Sequence, residues 1–276
     1  ALHVHFRSTL SGYIGWMGTD KLLYKELTFT MGQFRGFVHG MVRSTREFLC
    51  QKLLFGQEIP AIPWDGLYDD PTASAVGWSF LKDPRTQWPV NGSQWLLNLI
   101  RTHPAIRQRF IDSSGQHLSR NAISIYLKEV VKLRELFSTA IHICGGQPAR
   151  GNELLSIRHR NTPSGGLRDL FIEDGLVTMV TKYHKGFYAS NDTKVIHRYL
   201  PRELGELVVW YLWLVLPFVE QLQAFLIQSG HKDHVRYETL LSLSLSRLTF
   251  LVNGSPSSGH RIQTASPGIG SDSRTS

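Results

Sequence analysis

Gly145-Gly-Gln-Pro-Ala-Arg150-Gly-Asn-Glu153-Leu154-Leu-Ser-Ile157 is the stretch from which the rest of the chain can be read. The glycine pair predicts the end of a preceding helix, because a left-handed stop favours a residue without a Cβ. Pro148 suits the first turn of a new helix, where its missing N–H costs nothing. In that helix Arg150, Glu153 and Leu154 are three and four residues apart and share a face. A guanidinium near a helix N-terminus opposes the macrodipole. It makes sense there if an anion binds, held by backbone N–H groups and a forked arginine, with Glu153 orienting the arginine. The alternative is a surface ion pair, which contributes little.

Working outward, Ser119 predicts the N-cap of a long helix that ends before Gly145, with Ile123, Leu127, Val130, Phe137 and Ile141 as its buried stripe. Downstream the period changes. Leu170-Phe171-Ile172, Asp174-Gly175 and Leu176 to Val180 predict a β-hairpin, since Asp-Gly favours the tight turn that matches strand twist. A polar loop, His184 to Thr193, leads to a third strand, Val195 to Leu200. Pro201 then opens an apolar helix over 202–216. This order predicts a mainly α protein with a small three-stranded antiparallel β-sheet, an α+β fold.

Before residue 119, the stretch Glu26 to Phe55 carries apolar residues from Phe29 to Leu53 at helical intervals among Arg35, Arg43, Arg46 and Lys52, and predicts one or two amphipathic helices. Residues 58–89 carry five prolines and predict an ordered but irregular connection, because Trp64, Trp78, Phe80 and Trp88 need something to pack on. Gln94 to Ile100 and Pro104 to Ile111 predict short helices. The expected organisation is an N-terminal helical region (1–118), a second region (119–228), a further helix (229–252) and a Ser/Gly-rich disordered tail (253–276).

The 276 residues hold 30 Lys+Arg against 22 Asp+Glu, a net charge of +8, so a polyanion is a reasonable partner. The alternative is an ordinary protein of basic pI. Two cysteines exclude a disulfide framework and fit a reducing, intracellular setting. The longest apolar run, Leu207 to Val219, is thirteen residues, short of the roughly twenty a membrane span needs, so no membrane is expected. No secretory signal shows at the N-terminus, and the start at Ala1 suggests an upstream segment.

Between His142 and Arg202 there are nine Lys+Arg and five Asp+Glu, half of the net charge in under a quarter of the length. Such clustering favours a nucleic-acid face; a solvated basic face is the rival. Arg158, His159, Arg160, Lys194 and Arg198 belong to this set, as do Lys182, Tyr183, His184 and Lys185 around the hairpin's end. A lysine at a hairpin tip can reach a groove, and Tyr or His can pack on a sugar or base. His231, Asp233 and His234, like His3 and His5, do not reach a four-ligand metal pattern, so no metal or other cofactor is expected. No phosphate loop with Lys-Ser/Thr and no Gly-x-Ser-x-Gly is present.

Taken in order, these motifs resemble the catalytic core of the tyrosine recombinases, the integrase class of DNA breaking–rejoining enzymes. The matching features are Arg150, Glu153, Leu154 and Ile157 in the Arg-x-x-Glu-Leu-x-x-Leu helix, a three-stranded sheet with a lysine hairpin, and Val195-Ile-His-Arg-Tyr-Leu200-Pro201 before a helix. Glu26-Leu-Thr-Phe-Thr-Met-Gly-Gln-Phe-Arg-Gly36, Gly145 to Gly151, Phe171 to Gly175 and His197 to Glu203 further resemble fungal recombinase-like proteins of mobile or subtelomeric DNA, often joined to RecQ-type helicase regions. The resemblance implies double-stranded DNA as partner, self-association on DNA, a RecQ-type helicase nearby and a nuclear setting. It also implies Arg150 on the scissile phosphate with Glu153 behind it, and Lys185, or Lys182 in reserve, protonating the leaving oxygen. The family further needs a His-x-x-Arg box and a later nucleophilic tyrosine. Here Tyr237 is the last tyrosine, no His-x-x-Arg lies between Glu220 and it, and the expectation is truncation, frame shift or decay after about Phe225. The expected activity is therefore DNA binding by an incomplete recombinase. The alternatives are a non-catalytic DNA-binding or regulatory module of a helicase-linked protein, or a helical protein-interaction domain.

Overall fold

In the computed structural model, the structure describes residues 14–112, 115, 117–183 and 194–228. The long central helix follows the sequence signals closely. Helix α4 (Arg120–Cys144) starts where the Ser119 side chain accepts the Ala122 N–H at 3.3 Å. It ends at Gly145, and Gly146 takes the left-handed φ of 80°. Ile123, Val130, Leu133 and Phe137 along it are wholly buried. Around it pack α1 (Met31–Phe48), α3 (Pro104–Phe110), α6 (Arg202–Trp210) and α7 (Leu216–Gln228), while α2 (Gly92–Thr102) packs on α3 and α7 and the one-turn α5 (Gly151–Leu155) on the strand Leu176–Tyr183. One hydrophobic cluster runs from Leu49 to Leu222 and joins the regions on both sides of residue 119.

Three antiparallel strands, β4 (Leu170–Glu173), β5 (Leu176–Tyr183) and β6 (Lys194–Tyr199), form the expected sheet. Asp174 and Gly175 both turn with positive φ, 50° and 69°, as the tight hairpin requires. Its outer edge is closed by side chains. The Ile172 N–H donates to Asp69 at 3.0 Å, and Arg168 donates to the Leu170 carbonyl at 3.2 Å and to Asp69 at 2.7 Å. Both side chains of this ion pair are 1 % exposed. It caps an edge strand with charge held inside, which blocks edge-to-edge pairing.

The fold is α+β, with a correction at its N-terminal end. A second three-stranded sheet precedes α1: β1 (Ile14–Met17), β2 (Lys21–Tyr24) and β3 (Leu27–Thr30). Helical periodicity had predicted helix from Glu26 on. The helix instead starts at Met31, because Thr30 and Gln33 form a reciprocal capping box, at 2.8 and 3.1 Å. The β2–β3 turn is made by Lys25 and Glu26, with Lys25 at a φ of 54°, a position for which no glycine gives warning.

The connection at 58–89 is ordered and irregular, with single 3-10 turns at Trp64–Gly66 and Phe80–Lys82. Its aromatics do find partners: Phe80 is fully buried, Trp88 lies 4.5 Å from Trp213, and the Arg202 guanidinium stacks 3.6 Å over Trp64. Asn161 donates to the Ala73 and Ala75 carbonyls and pins the loop to the chain before β4.

The thirteen-residue limit placed on the apolar stretch does not hold. Helical turns run on from α6 through a π-type segment, Tyr211–Val215, into α7. The run Arg202–Ile227 is long and apolar enough to cross a membrane, but 78 % of its most apolar window is buried inside the protein. The wider turn sits just before Pro217, whose missing N–H breaks the regular ladder.

Candidate nucleic-acid interface

Arg150 is the N-cap of α5 and not a residue within its first turn. Its carbonyl accepts the Leu154 N–H at 3.0 Å, and its N–H donates to the Glu153 carboxylate at 3.3 Å, which is the returning half of a capping box. The helix that Pro148 had predicted from residue 148 thus starts at Gly151 and lasts five residues. Leu154 and Ile157 face inward, 5 % and 0 % exposed, and the Arg150 side chain is exposed.

Behind this turn lies Arg198. Sequence reasoning had set it on the DNA-facing surface; the structure buries it at 5 % exposure. Its Nε donates to the Gln147 carbonyl at 3.1 Å, Nη1 donates to the Thr181 hydroxyl, and Nη2 lies 3.8 Å from Glu153. One guanidinium therefore ties the turn before Arg150, the carboxylate after it and the neighbouring strand. An arginine so engaged inside the protein holds other groups in place and presents no donor to a phosphate.

Strand register separates the remaining candidates. Val177, Met179 and Thr181 on β5 share the buried face with Arg198, which pairs with Met179. By alternation position 182 falls on the other face, in register with Val195 and beside Val180 and His197. Tyr183 pairs with Lys194 at the strand ends. Lys185 and His184 lie outside the described residues, as do Tyr237 and the histidines at 3, 5, 231 and 234.

Two other basic residues sit elsewhere. Arg158 is clamped to Asp169 through both its backbone N–H and Nε, each at 3.0 Å, on the wall of a cavity of about 580 Å³ that also takes in Phe171, Val180 and His197. Arg160 pairs with Glu220 at 3.0 Å beside a second cavity of about 630 Å³, lined by Lys82, Trp88 and Trp213. His159, expected on the DNA face, is 4 % exposed. Burial, and then the charges of Arg160 and Arg134, push its pKa down to about 3, so it is a neutral imidazole inside the protein.

The expected set therefore divides. Arg150, Glu153 and Arg198 come together; Arg158, Arg160 and His159 lie around two other cavities. Burial raises the thiol pKa of both Cys50 and Cys144, which keeps them protonated and poor nucleophiles. Among the described residues no three His, Cys, Asp or Glu side chains gather as a metal site. Arg168, which the sequence reading passed over, is the most buried arginine of the region, held by Asp69, 99 residues away, and by the Asp70 and Leu170 carbonyls. No protein-family model, curated protein or solved structure matches the chain.

Proposed function

We propose that this chain binds duplex DNA through the Arg150 turn, as a protein derived from a tyrosine-recombinase-like core. The observation that supports it is the mount behind Arg150. An exposed guanidinium is carried on a turn whose preceding carbonyl and following carboxylate are both engaged by one buried arginine. A surface ion pair needs no such backing. A cation carried on a fixed turn gains from it, because less backbone freedom is lost on binding. Arg158 and Arg160 are partly exposed but paired with Asp169 and Glu220, so they contribute little, and Lys185 enters the proposal as the second cation on the same phosphate. The proposal is for binding and does not include strand cleavage, since no His-x-x-Arg lies between Glu220 and Tyr237, the last tyrosine. It extends to a nuclear setting beside a RecQ-type helicase.

The test is fluorescence anisotropy with a labelled duplex at several salt concentrations. Affinity should fall by orders of magnitude between about 50 and 200 mM salt, as counterion release demands. Absent or salt-insensitive binding would overturn the proposal in favour of a helical protein-interaction domain. A nicked suicide duplex should leave no covalent adduct; an adduct would show a nucleophile that the reading lacks.

A further inference from the structure

The β1–β3 sheet has one face made only of apolar residues. Register places Ile14 opposite Tyr24 and Trp16 opposite Leu22 on β1 and β2, with Leu27 opposite Tyr24 and Phe29 opposite Leu22 on β3. All six share a face, because directly paired residues of antiparallel strands point the same way. The other face carries Gly15, Met17, Lys21, Leu23, Thr28 and Thr30. Such a division normally marks the side that packs on a core. Here four of the six stay open, Ile14 at 55 % exposed, Trp16 61 %, Tyr24 45 % and Leu27 67 %, while Leu22 and Phe29 are half-buried.

The apolar surface continues onto α1. Phe29 contacts Phe34 with ring centroids 6.3 Å apart, and Phe37 follows one turn later at 59 % exposure. Trp16, Tyr24, Phe34 and Phe37, with Ile14 and Leu27, leave roughly 700 Å² of apolar side chain open, since a single large aromatic covers about 150–250 Å². That exceeds the roughly 300–600 Å² of the largest patch on a typical monomer. It approaches the roughly 800 Å² that each partner contributes to a standard interface. Around the sheet Asp20 and Glu26 balance Lys21 and Lys25, and on α1 Arg35 adds one positive charge between Phe34 and Phe37, so the rim carries +1 of the chain's +8 and gives a polyanion little attraction.

From area, composition and rim charge we infer that this face is a two-fold interface between two copies of the chain. Sheet packs on sheet, with Leu22 and Tyr24 on the central strand, Trp16 and Leu27 on the two edge strands and the phenylalanines of α1 at the flank. A self-complementary apolar face is what an isologous contact requires, and a centre rich in aromatics is the usual composition of one. The inference does not rest on DNA binding.

Sedimentation velocity of the full chain without DNA, over micromolar concentrations, tests it. The expected species has twice the 31.3 kDa chain mass. Trp16→Glu and, separately, Phe37→Glu should give monomers with unchanged far-UV circular dichroism. The two lie on different elements, so if one fails to fold the other decides. A monomer at all concentrations overturns the inference, and so does a dimer that survives both substitutions. A monomer in which Trp16 is shielded from acrylamide also overturns it, by showing that another part of the same chain covers the face.

Discussion

At the residue scale, two buried basic groups make opposite demands. His159 is held neutral, with its pKa near 3 against about 6.5 unfolded. Between those values the unfolded chain binds a proton that the folded one refuses, so stability rises with pH there. The contribution is fully present above pH 6.5 and is lost at up to about 1.4 kcal/mol per pH unit as pH falls toward 3. Urea titrations at pH 6 and 4.5 should show this loss, and His159→Gln should flatten it; equal slopes in both proteins would contradict the neutral imidazole. Arg198 keeps its charge and gives it to Gln147, Thr181 and Glu153. Arg198→Met strips these groups at once and should destabilise the fold by about 3 kcal/mol or more, measured as a lower denaturation midpoint. The adjacency of Arg150 and Glu153 was legible because three residues of helix bring them together. The role of Arg198 was not, because strand pairing delivers it from 48 positions away in the chain.

Among the elements, local chemistry sorted what could be read from what could not. Helix α4 announced itself through Ser119 and Gly145, and the β4–β5 hairpin through Asp174-Gly175, since each is a capping or turn signal contained in a few residues. The β1–β3 meander gave a weaker signal: Gly18 marks its first turn, but Lys25-Glu26 makes the second, and Met17 and Leu23 on the second face blur its apolar alternation. The edge of β4 depends on an ion pair between residues 69 and 168, which no local pattern predicts. Arg168→Met leaves Asp69 charged, buried and without its cation, and should cost about 3–5 kcal/mol. Close packing gives a further prediction. A Cβ on Gly92 would come within 2.3 Å of the Trp213 carbonyl, just before the Pro217 turn. Gly92→Ala should therefore destabilise by about 1–3 kcal/mol as an overpacking change, whereas Gly36→Ala, inside α1 with open space for the added methyl, should stabilise by about 0.5–1 kcal/mol. Thermal melts of the two variants make the comparison.

On the scale of the whole molecule, one core joins the N-terminal helices to the sheet region, through contacts such as Phe110 and Tyr126 with Phe218 and Arg46 with Glu206. Unfolding followed by tryptophan fluorescence and by far-UV circular dichroism should coincide in a single transition; separated transitions would show two independent units. Net charge and its clustering were legible from composition, but composition could not show that three arginines of the cluster, at 158, 160 and 168, are engaged by Asp169, Glu220 and Asp69. What stands out for binding is the Arg150 turn, and the most direct measurement is the salt dependence of duplex binding by Arg150→Ala beside the parent chain. The account predicts weaker binding across unrelated sequences and a log–log salt slope reduced by about one, the mark of a lost phosphate contact. An unchanged affinity and slope would contradict it.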